Sequence, residues 1–409
     1  MGAMAFEAIR RIVVAGGSLA GYSAVSELLA ADYAGEILWV TGEKEGSYSK
    51  PALSKEFIQG KSDYSELFLP EIADSRGNLR ILRDIQLRSL DAAARTAKLE
   101  DGRSIDFDGL VVCTGAVARM PAITRGMAGV LGLRTLEDAL AIKAELAGKP
   151  RIAILGGGLI GCELAASMRS FGLEITLIEG APTLLGRTFG AVLGEYVLDM
   201  HQRNGVDVMT GVTIEELIAR DGRVAAARLS DGSVIETDLV LVGAGSIPAT
   251  EWLEGSGLKL ADGVVCDATL ASSHPGIYAA GDVARWHNPF YDTVMRVEHW
   301  TSASAQGRAA ARNLLHSLPG SGEEPVPFAD VPYFWSDQYG LKLQMVGRHD
   351  GHDHVERQET ADRTHPLLTF HREGQLVAAA GVNASRAVMR YRKQIEDDAR
   401  SRQRVAEPC

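Results

Sequence analysis

Cysteine is scarce: Cys113, Cys162, Cys266 and Cys409 are the only 4 in 409 residues and stand at least 49 positions apart. That spacing fits neither a zinc-ligand cluster nor a disulfide framework, so a reducing, cytoplasmic compartment is expected. Long hydrophobic runs are missing as well. None approaches the roughly 20 uncharged apolar residues that a membrane helix needs, and the first apolar run, Ile12 to Ala15, leads straight into a glycine motif, leaving no room for a secretory leader. Positive charge is in the minority, with 42 Lys and Arg against 53 Asp and Glu and a net charge of −11. A duplex-binding protein needs the opposite excess, so nucleic acid is not an expected partner. What remains, 46% hydrophobic and 23% charged residues, is the composition of a soluble globular enzyme. The length allows two or three domains.

What the chain has in quantity is glycine, 44 residues, and two of its richest clusters are copies of each other. Arg11-Ile-Val-Val-Ala-Gly-Gly-Ser-Leu-Ala-Gly21 returns 140 positions later as Arg151-Ile-Ala-Ile-Leu-Gly-Gly-Gly-Leu-Ile-Gly161. A second echo, at a spacing of 130, pairs the stretch from Asp101 to Gly115 with that from Asp231 to Gly245. Two copies at so long a period indicate domain duplication and not a solenoid. Each copy opens with a β-branched run lacking in-out alternation, then glycines, a small-residue helix and another apolar strand, the pattern of a parallel sheet buried on both faces. The expected class is α/β, with two Rossmann-like dinucleotide-binding domains. Ser317 to Pro327 reads as a linker, and the alternation in Leu341 to Val346 and in Leu367 to Phe370 predicts a small C-terminal α+β domain.

Gly156-x-Gly158-x-x-Gly161 follows a predicted strand and opens a predicted helix, the context in which this pattern holds a dinucleotide pyrophosphate on a helix N-terminus. Glu179 ends the next strand, where a carboxylate accepts from ribose hydroxyls and repels a 2′-phosphate. NADH is therefore favoured over NADPH. The N-terminal copy carries Gly16, Ser18 and Gly21, with serine at the middle fingerprint position and Glu43 as the nearest acid for a ribose. Electron transfer between two such sites is best served by a flavin beside a nicotinamide, and the apolar strand ending in Gly281-Asp282 offers a carboxylate for a ribityl hydroxyl.

With these motifs the chain resembles the FAD-containing, NADH-dependent ferredoxin reductases of oxygenase systems, a family related to apoptosis-inducing factor. The resemblance rests on both glycine motifs and on Ser49-Lys-Pro-Ala-Leu-Ser-Lys55, Cys113-Thr-Gly-Ala-Val-Ala-Arg119, Leu133-Arg-Thr-Leu-Glu137, Ile277 to Asp282, Met295-Arg-Val-Glu-His-Trp300 and Tyr333-Phe-Trp-Ser-Asp-Gln338. It implies a discontinuous FAD domain, residues 1–115 and 246–322, interrupted by an NAD domain, 116–245, and followed by a C-terminal domain, 323–409.

The resemblance also implies the site residues. Gly16, Ser18, Gly21, Glu43, Lys50, Lys55, Leu87, Thr114, Gly115, Arg119, Arg134, Gly281, Asp282, Trp300 and Trp335 fall to FAD. Gly156, Gly158, Gly161, Glu163, Glu179 and Arg187 fall to NAD. Lys55 and Glu163 are expected to pair near the flavin N5, as the catalytic residues. The chain departs from the family pattern at Ser18, at Gly42, at Lys50 in place of arginine and at Ile247 in place of arginine. No cysteine lies between Met1 and Gly60, where relatives that reduce disulfides or peroxides keep a redox sulfur, so electrons are expected to leave the flavin directly.

The implied acceptor is a [2Fe–2S] ferredoxin feeding a cytochrome P450 or a Rieske-type oxygenase, docking near Arg296, Arg308, Arg312, Arg386, Arg390 and the adjacent Arg392 and Lys393. A rubredoxin reductase, or a flavin-bound NADH sensor of the apoptosis-inducing-factor type, shares the same motifs. The histidines at 349, 352 and 354 sit in a polar turn and read as a solvated loop, with no metal expected.

Overall fold

The computed structural model describes residues 11–359 and 364–406; Cys409 lies outside them. Two five-stranded parallel sheets form the body of the protein. The first has Arg11–Ala15 at its centre, flanked by Glu36–Val40 and Gly109–Val112, with Leu79–Leu82 and Ile277–Ala279 at the edges. The second has Ile152–Leu155 beside Ile175–Glu179 and Leu239–Val242, with Asp207–Thr210 and Val130–Gly132 outermost. Their central strands are apolar on both faces and buried on both faces, between helices and a short three-stranded antiparallel sheet in each case. The edge strand Ile277–Ala279 joins the first sheet from beyond the whole second sheet in sequence.

The internal echo persists in three dimensions. In both copies a hairpin turning at Gly102 or Gly232 precedes the strand that flanks the central one. Asp108 then accepts from the backbone N–H of Arg11 at 2.9 Å, and Asp238 from that of Arg151 at 3.0 Å. The sequence reading missed the short antiparallel sheets containing these hairpins, Leu87–Asp91 with Thr96–Leu99 and Ser104–Asp106, and Ile214–Arg220 with Arg223–Leu229 and Val234–Glu236. Their outer residues are largely exposed, so the apolar signal is weak.

Helix Leu19–Ala30 lies against helix Trp300–His316 at close range: a Cβ on Gly307 would stand 2.2 Å from the Ala20 carbonyl oxygen. The segment between His316 and Tyr333 carries no regular element, in keeping with its Pro and Gly content. Beyond it Tyr333–Gln338, Leu341–Gly347, Gln375–Val382, Leu367–Arg372 and His354–Arg357 form one antiparallel sheet in that spatial order, backed by helix Ser385–Ala406. One face of this sheet packs under that helix, and the other shares one continuous core with the second parallel sheet and with Tyr48, Leu53, Phe57 and Ile58. Three separate parts of the chain thereby meet around helix Leu159–Arg169. No helix among the described residues is long and apolar enough to cross a membrane.

Candidate functional site

The two glycine loops are built alike, and their packing explains the serine in one of them. A Cβ at Gly16 would lie 2.2 Å from the Cys113 carbonyl oxygen, and one at Gly156 2.5 Å from that of Gly243; both glycines have positive φ. A Cβ at Gly21 or Gly161 would stand 2.0 or 1.8 Å from the carbonyl oxygen of Gly16 or Gly156, so neither tolerates a side chain. The middle position differs. A Cβ at Gly158 would meet no protein atom closer than 3.9 Å, so the fold does not require glycine there, and Ser18 occupies the matching place without conflict.

Ser18 and Gly158 are the N-caps of their helices, and neither supplies a side-chain cap. Unpaired N–H groups at both helix starts are what a pyrophosphate needs. Glu179 braces the second loop, its Oε2 accepting from the Gly157 N–H at 2.6 Å and its Oε1 from the Ala181 N–H at 2.7 Å. Each oxygen keeps further acceptor capacity. Arg187 is exposed in the short turn Gly186–Phe189, and its carbonyl accepts from His349 Nε2 at 3.1 Å.

Around the first loop, Lys50 Nζ donates to Glu43 Oε1 at 2.9 Å and to the Tyr48 hydroxyl at 3.1 Å. Burial lowers the Lys50 ammonium from its usual range, against the opposing pull of Glu43. Arg134 Nη2 donates to Asp282 Oδ2 at 2.5 Å, and its Nε to the Ala116 carbonyl at 2.9 Å, which ties Gly281-Asp282 to the strand after Gly115. Thr114 Oγ1 donates to the Ala249 carbonyl at 2.9 Å, and Arg119 Nη2 to that of Ser246 at 3.3 Å. Leu87 packs on the edge of the first core.

Two buried polar atoms here lack partners among the described residues, His299 Nδ1 and Gln306 Nε2, while Gln306 Oε1 accepts from the Gly281 N–H at 2.8 Å. Orphaned buried donors and acceptors call for an explanation, and a bound cofactor supplies one. Burial pushes the His299 ring down to about 4. The donor set and the open cradle at Gly158 fit two dinucleotides.

The pair between the two sheets is buried. Lys55 lies in the π-helical turn Leu53–Phe57, a geometry that recurs at functional positions. Its Nζ donates to Glu163 Oε1 at 3.0 Å, and the side chains of Lys55 and Glu163 are 9% and 5% exposed. The Ser54 hydroxyl donates to Glu163 Oε2, and the Ser336 hydroxyl to Oε1 at 2.7 Å.

Sequence reading missed both serines and, behind them, Gln338, His201 and Tyr339. Ser336 and Gln338 did fall inside a quoted motif, and their spacing of two puts them on one strand face with Phe334, which packs between Phe189 and His299. Trp335 points to the opposite face and stacks on Tyr333, with ring centroids 5.9 Å apart. Trp300 opens helix Trp300–His316.

The expected basic patch divides. Arg296 pairs with Asp262 and Glu298, Arg312 with Glu27, and Arg392 with Asp330 and Glu396. Arg308, Arg386, Arg390 and Lys393 carry no ion pair among the described residues. His349 and His352 pack on Phe370, and no group of metal-ligating residues assembles among the described residues. Cys113, Cys162 and Cys266 are free and buried, and burial pushes each thiol well up, that of Cys266 to about 12.

Two dinucleotide folds meeting at one buried ion pair define an oxidoreductase that couples a flavin to a pyridine nucleotide. The chain belongs to the family described as pyridine nucleotide-disulphide oxidoreductase, which matches residues 10–307, and residues 333–408 match the reductase C-terminal family. It is 34% identical over 404 residues to the ferredoxin–NAD(+) reductase component of the p-cumate 2,3-dioxygenase system of Pseudomonas putida, covering 98% of this chain and 97% of that protein. It is 32% identical over 394 residues to a ferredoxin–NAD(P)(+) reductase of a Sphingomonas species, covering 94% and 92%. Among solved structures, the covalent putidaredoxin reductase–putidaredoxin complex superposes with a TM-score of 0.88 at 30% identity, covering 96% of this chain and 94% of that one. The cofactors of the enzyme are FAD and NAD(H).

Proposed function

We propose that the chain is an NADH-dependent reductase whose FAD passes single electrons to a [2Fe–2S] ferredoxin, which in turn supplies a cytochrome P450 or a Rieske-type oxygenase. The observation that carries this reading is the Lys55–Glu163 pair, held at 3.0 Å where the FAD-side and NAD-side elements touch. Bound FAD supplies the conversion of a two-electron hydride into two one-electron deliveries. The chain supplies placement and charge. Helix Leu159–Arg169 carries both the pyrophosphate-binding start and Glu163, so a nicotinamide bound there lies next to Lys55.

Glu179 takes the adenosine ribose while bracing the loop through Gly157. Residues 180–182 are Gly, Ala and Pro, with no cation for a 2′-phosphate. Arg187 serves the nicotinamide dinucleotide. Gly16, Ser18 and Gly21 form the FAD pyrophosphate turn, Glu43 and Lys50 its adenosine side, and Asp282 with Arg134 the ribityl side. Leu87, Thr114, Gly115, Arg119, Trp300 and Trp335 complete the FAD surroundings. The division into residues 1–115 with 246–322, 116–245 and 323–409 follows the same roles.

A sulfur relay has no support here, since Cys113 and Cys162 are buried thiols with no disulfide partner among the described residues. The relatives named as ferredoxin reductases across nearly their whole length support a ferredoxin as acceptor. Docking falls to the unpaired cations Arg386 and Arg390 with Lys393 on helix Ser385–Ala406, while Arg296 and Arg312 answer to their own carboxylates and Arg308 shares the helix of Arg312. The test is steady-state NADH oxidation with a [2Fe–2S] ferredoxin, a rubredoxin, or no carrier. Turnover that depends on the ferredoxin supports the reading; turnover with rubredoxin alone overturns the carrier assignment.

A further inference from the structure

The Glu163 carboxylate is the end of a hydrogen-bonded chain that runs through three parts of the molecule. Ser336 Oγ lies 2.7 Å from Glu163 Oε1, Gln338 Nε2 2.9 Å from Ser336 Oγ, His201 Nε2 2.9 Å from Gln338 Oε1, and the Tyr339 hydroxyl 2.9 Å from His201 Nδ1. Ser336, Gln338 and His201 are 0%, 1% and 0% exposed, so solvent does not compete for the bonds among them.

The direction of every bond follows from one constraint. A carboxylate paired with Lys55 only accepts, so Ser336 donates to it. With its hydrogen used there, Ser336 accepts from the Gln338 amide, whose carbonyl oxygen then faces His201. His201 must therefore carry its hydrogen on Nε2, leaving Nδ1 to accept from Tyr339. The ring is neutral, since burial brings His201 down to about 4, and burial raises the Tyr339 phenol, which keeps its hydrogen. All four donors point the same way, toward Glu163. Tyr339 holds a left-handed backbone, φ 52°, at the tip of the hairpin between Tyr333–Gln338 and Leu341–Gly347, a conformation that costs a non-glycine residue energy and that the contact with His201 helps to hold.

We infer that the C-terminal hairpin positions the Glu163–Lys55 pair for flavin reduction through Ser336, with Gln338, His201 and Tyr339 as positioning residues that fix where the Ser336 hydroxyl points. The inference rests on the reading of Lys55 and Glu163 proposed above. A bond from a buried hydroxyl to a charged acceptor is among the stronger hydrogen bonds in a protein, and bonds in one oriented chain reinforce each other.

The test uses the holoenzyme and the variants Ser336→Ala and Tyr339→Phe, each alone and in a Glu163→Gln background. Single-turnover reduction at saturating NADH should slow by about tenfold in Ser336→Ala and about threefold in Tyr339→Phe, with the NADH concentration at half-maximal rate moving less than about twofold. In the Glu163→Gln background neither change should slow the reaction further, because both act through that carboxylate. Nitrogen NMR of histidine-labelled protein gives a readout apart from activity: His201 should show a protonated Nε2 and a bare Nδ1, and only the Nδ1 signal should move strongly in Tyr339→Phe. Should Ser336→Ala fail to fold, Tyr339→Phe and the tautomer still decide. An unchanged limiting rate in Ser336→Ala or Tyr339→Phe beside a slowed Glu163→Gln overturns the positioning role and leaves the pair intact. A His201 hydrogen on Nδ1 overturns the oriented chain. An unchanged rate in Glu163→Gln overturns the reading of the pair, and this inference with it.

Discussion

Lys55 and Glu163 stand 108 positions apart in sequence and 3.0 Å apart in space, where the turn Leu53–Phe57 meets the helix Leu159–Arg169. Removing either partner leaves a buried charge without compensation, at a cost of about 3–5 kcal/mol. Lys55→Ala and Glu163→Ala should each lower unfolding stability by that order in denaturant titrations. Lys55→Ala should also slow flavin reduction in stopped flow more than it weakens FAD retention, because hydride transfer depends on the placement of the nicotinamide. Equal rates for wild type and both variants would make the pair purely structural.

The released cofactor should be FAD and not FMN, since the Gly16 loop and the helix it opens are the pyrophosphate turn proposed above and FMN has no pyrophosphate. Chromatography of the supernatant after heat denaturation decides it. Asp282→Ala should weaken FAD retention by about tenfold, the size of a lost hydrogen bond to a charged group, and should free Arg134, its partner at 2.5 Å.

NADH should exceed NADPH in kcat/KM by at least about tenfold, or roughly 1.4 kcal/mol. Glu179→Ala should narrow that ratio. It should also lower activity with NADH itself, because the same carboxylate holds the Gly157 and Ala181 amides. Equal kcat/KM for the two nucleotides in the wild type would remove Glu179 from the ribose.

Stability should fall on acidification through a histidine as well as through carboxylates. His201 is wholly buried, with a folded value of about 4 against about 6.5 when unfolded. Between these values the unfolded chain binds the extra proton, so stability is full above about pH 6.5 and declines as pH falls toward 4. The loss attributable to this one group is roughly 3 kcal/mol. Denaturant unfolding at several pH values should give a shallower acid slope for His201→Gln than for wild type. Identical slopes would contradict the burial of a neutral ring.

How much of this was legible in the sequence follows from how far each signal reaches along the chain. The parallel strands and glycine loops are local patterns, and Gly16 through Gly21 and Gly156 through Gly161 carry their turns within six residues. The Lys55–Glu163 pairing was available only through family resemblance, since nothing local to either residue points to the other. Ser336 was part of a quoted motif, yet its contact with Glu163 spans 173 positions and depends on which strand face turns inward. His201 gave no signal, since its partners Gln338 and Tyr339 lie across 137 and 138 positions. Arg312 reads as a free cation because the carboxylate that pairs with it, Glu27, is distant in sequence, whereas Arg296 has one partner, Glu298, only two positions away and a second, Asp262, that the sequence does not bring near.

The same pairing pattern decides where an acidic electron carrier should dock. Arg296 and Arg312 sit against carboxylates and present little uncompensated charge, whereas Arg386, Arg390 and Lys393 recur along one exposed side of helix Ser385–Ala406 with Met389 between them. On a chain of net charge −11, a local cluster of unpaired cations around an exposed apolar side chain is what steers and seats a small acidic partner. Charge reversal at Arg386 and Arg390 together should therefore raise the KM for ferredoxin by about tenfold or more at low salt and leave NADH-dependent ferricyanide reduction unchanged. The gap between wild type and variant should close as ionic strength rises, because the Debye length shrinks from about 10 Å at 0.1 M to about 3 Å at 1 M. Charge reversal at Arg312, on helix Trp300–His316 and outside this cluster, should raise the ferredoxin KM less than the double reversal does. If Arg312 reversal instead raises the ferredoxin KM while the Arg386 and Arg390 reversal does not, the carrier docks on the face of helix Trp300–His316 and not on the C-terminal helix.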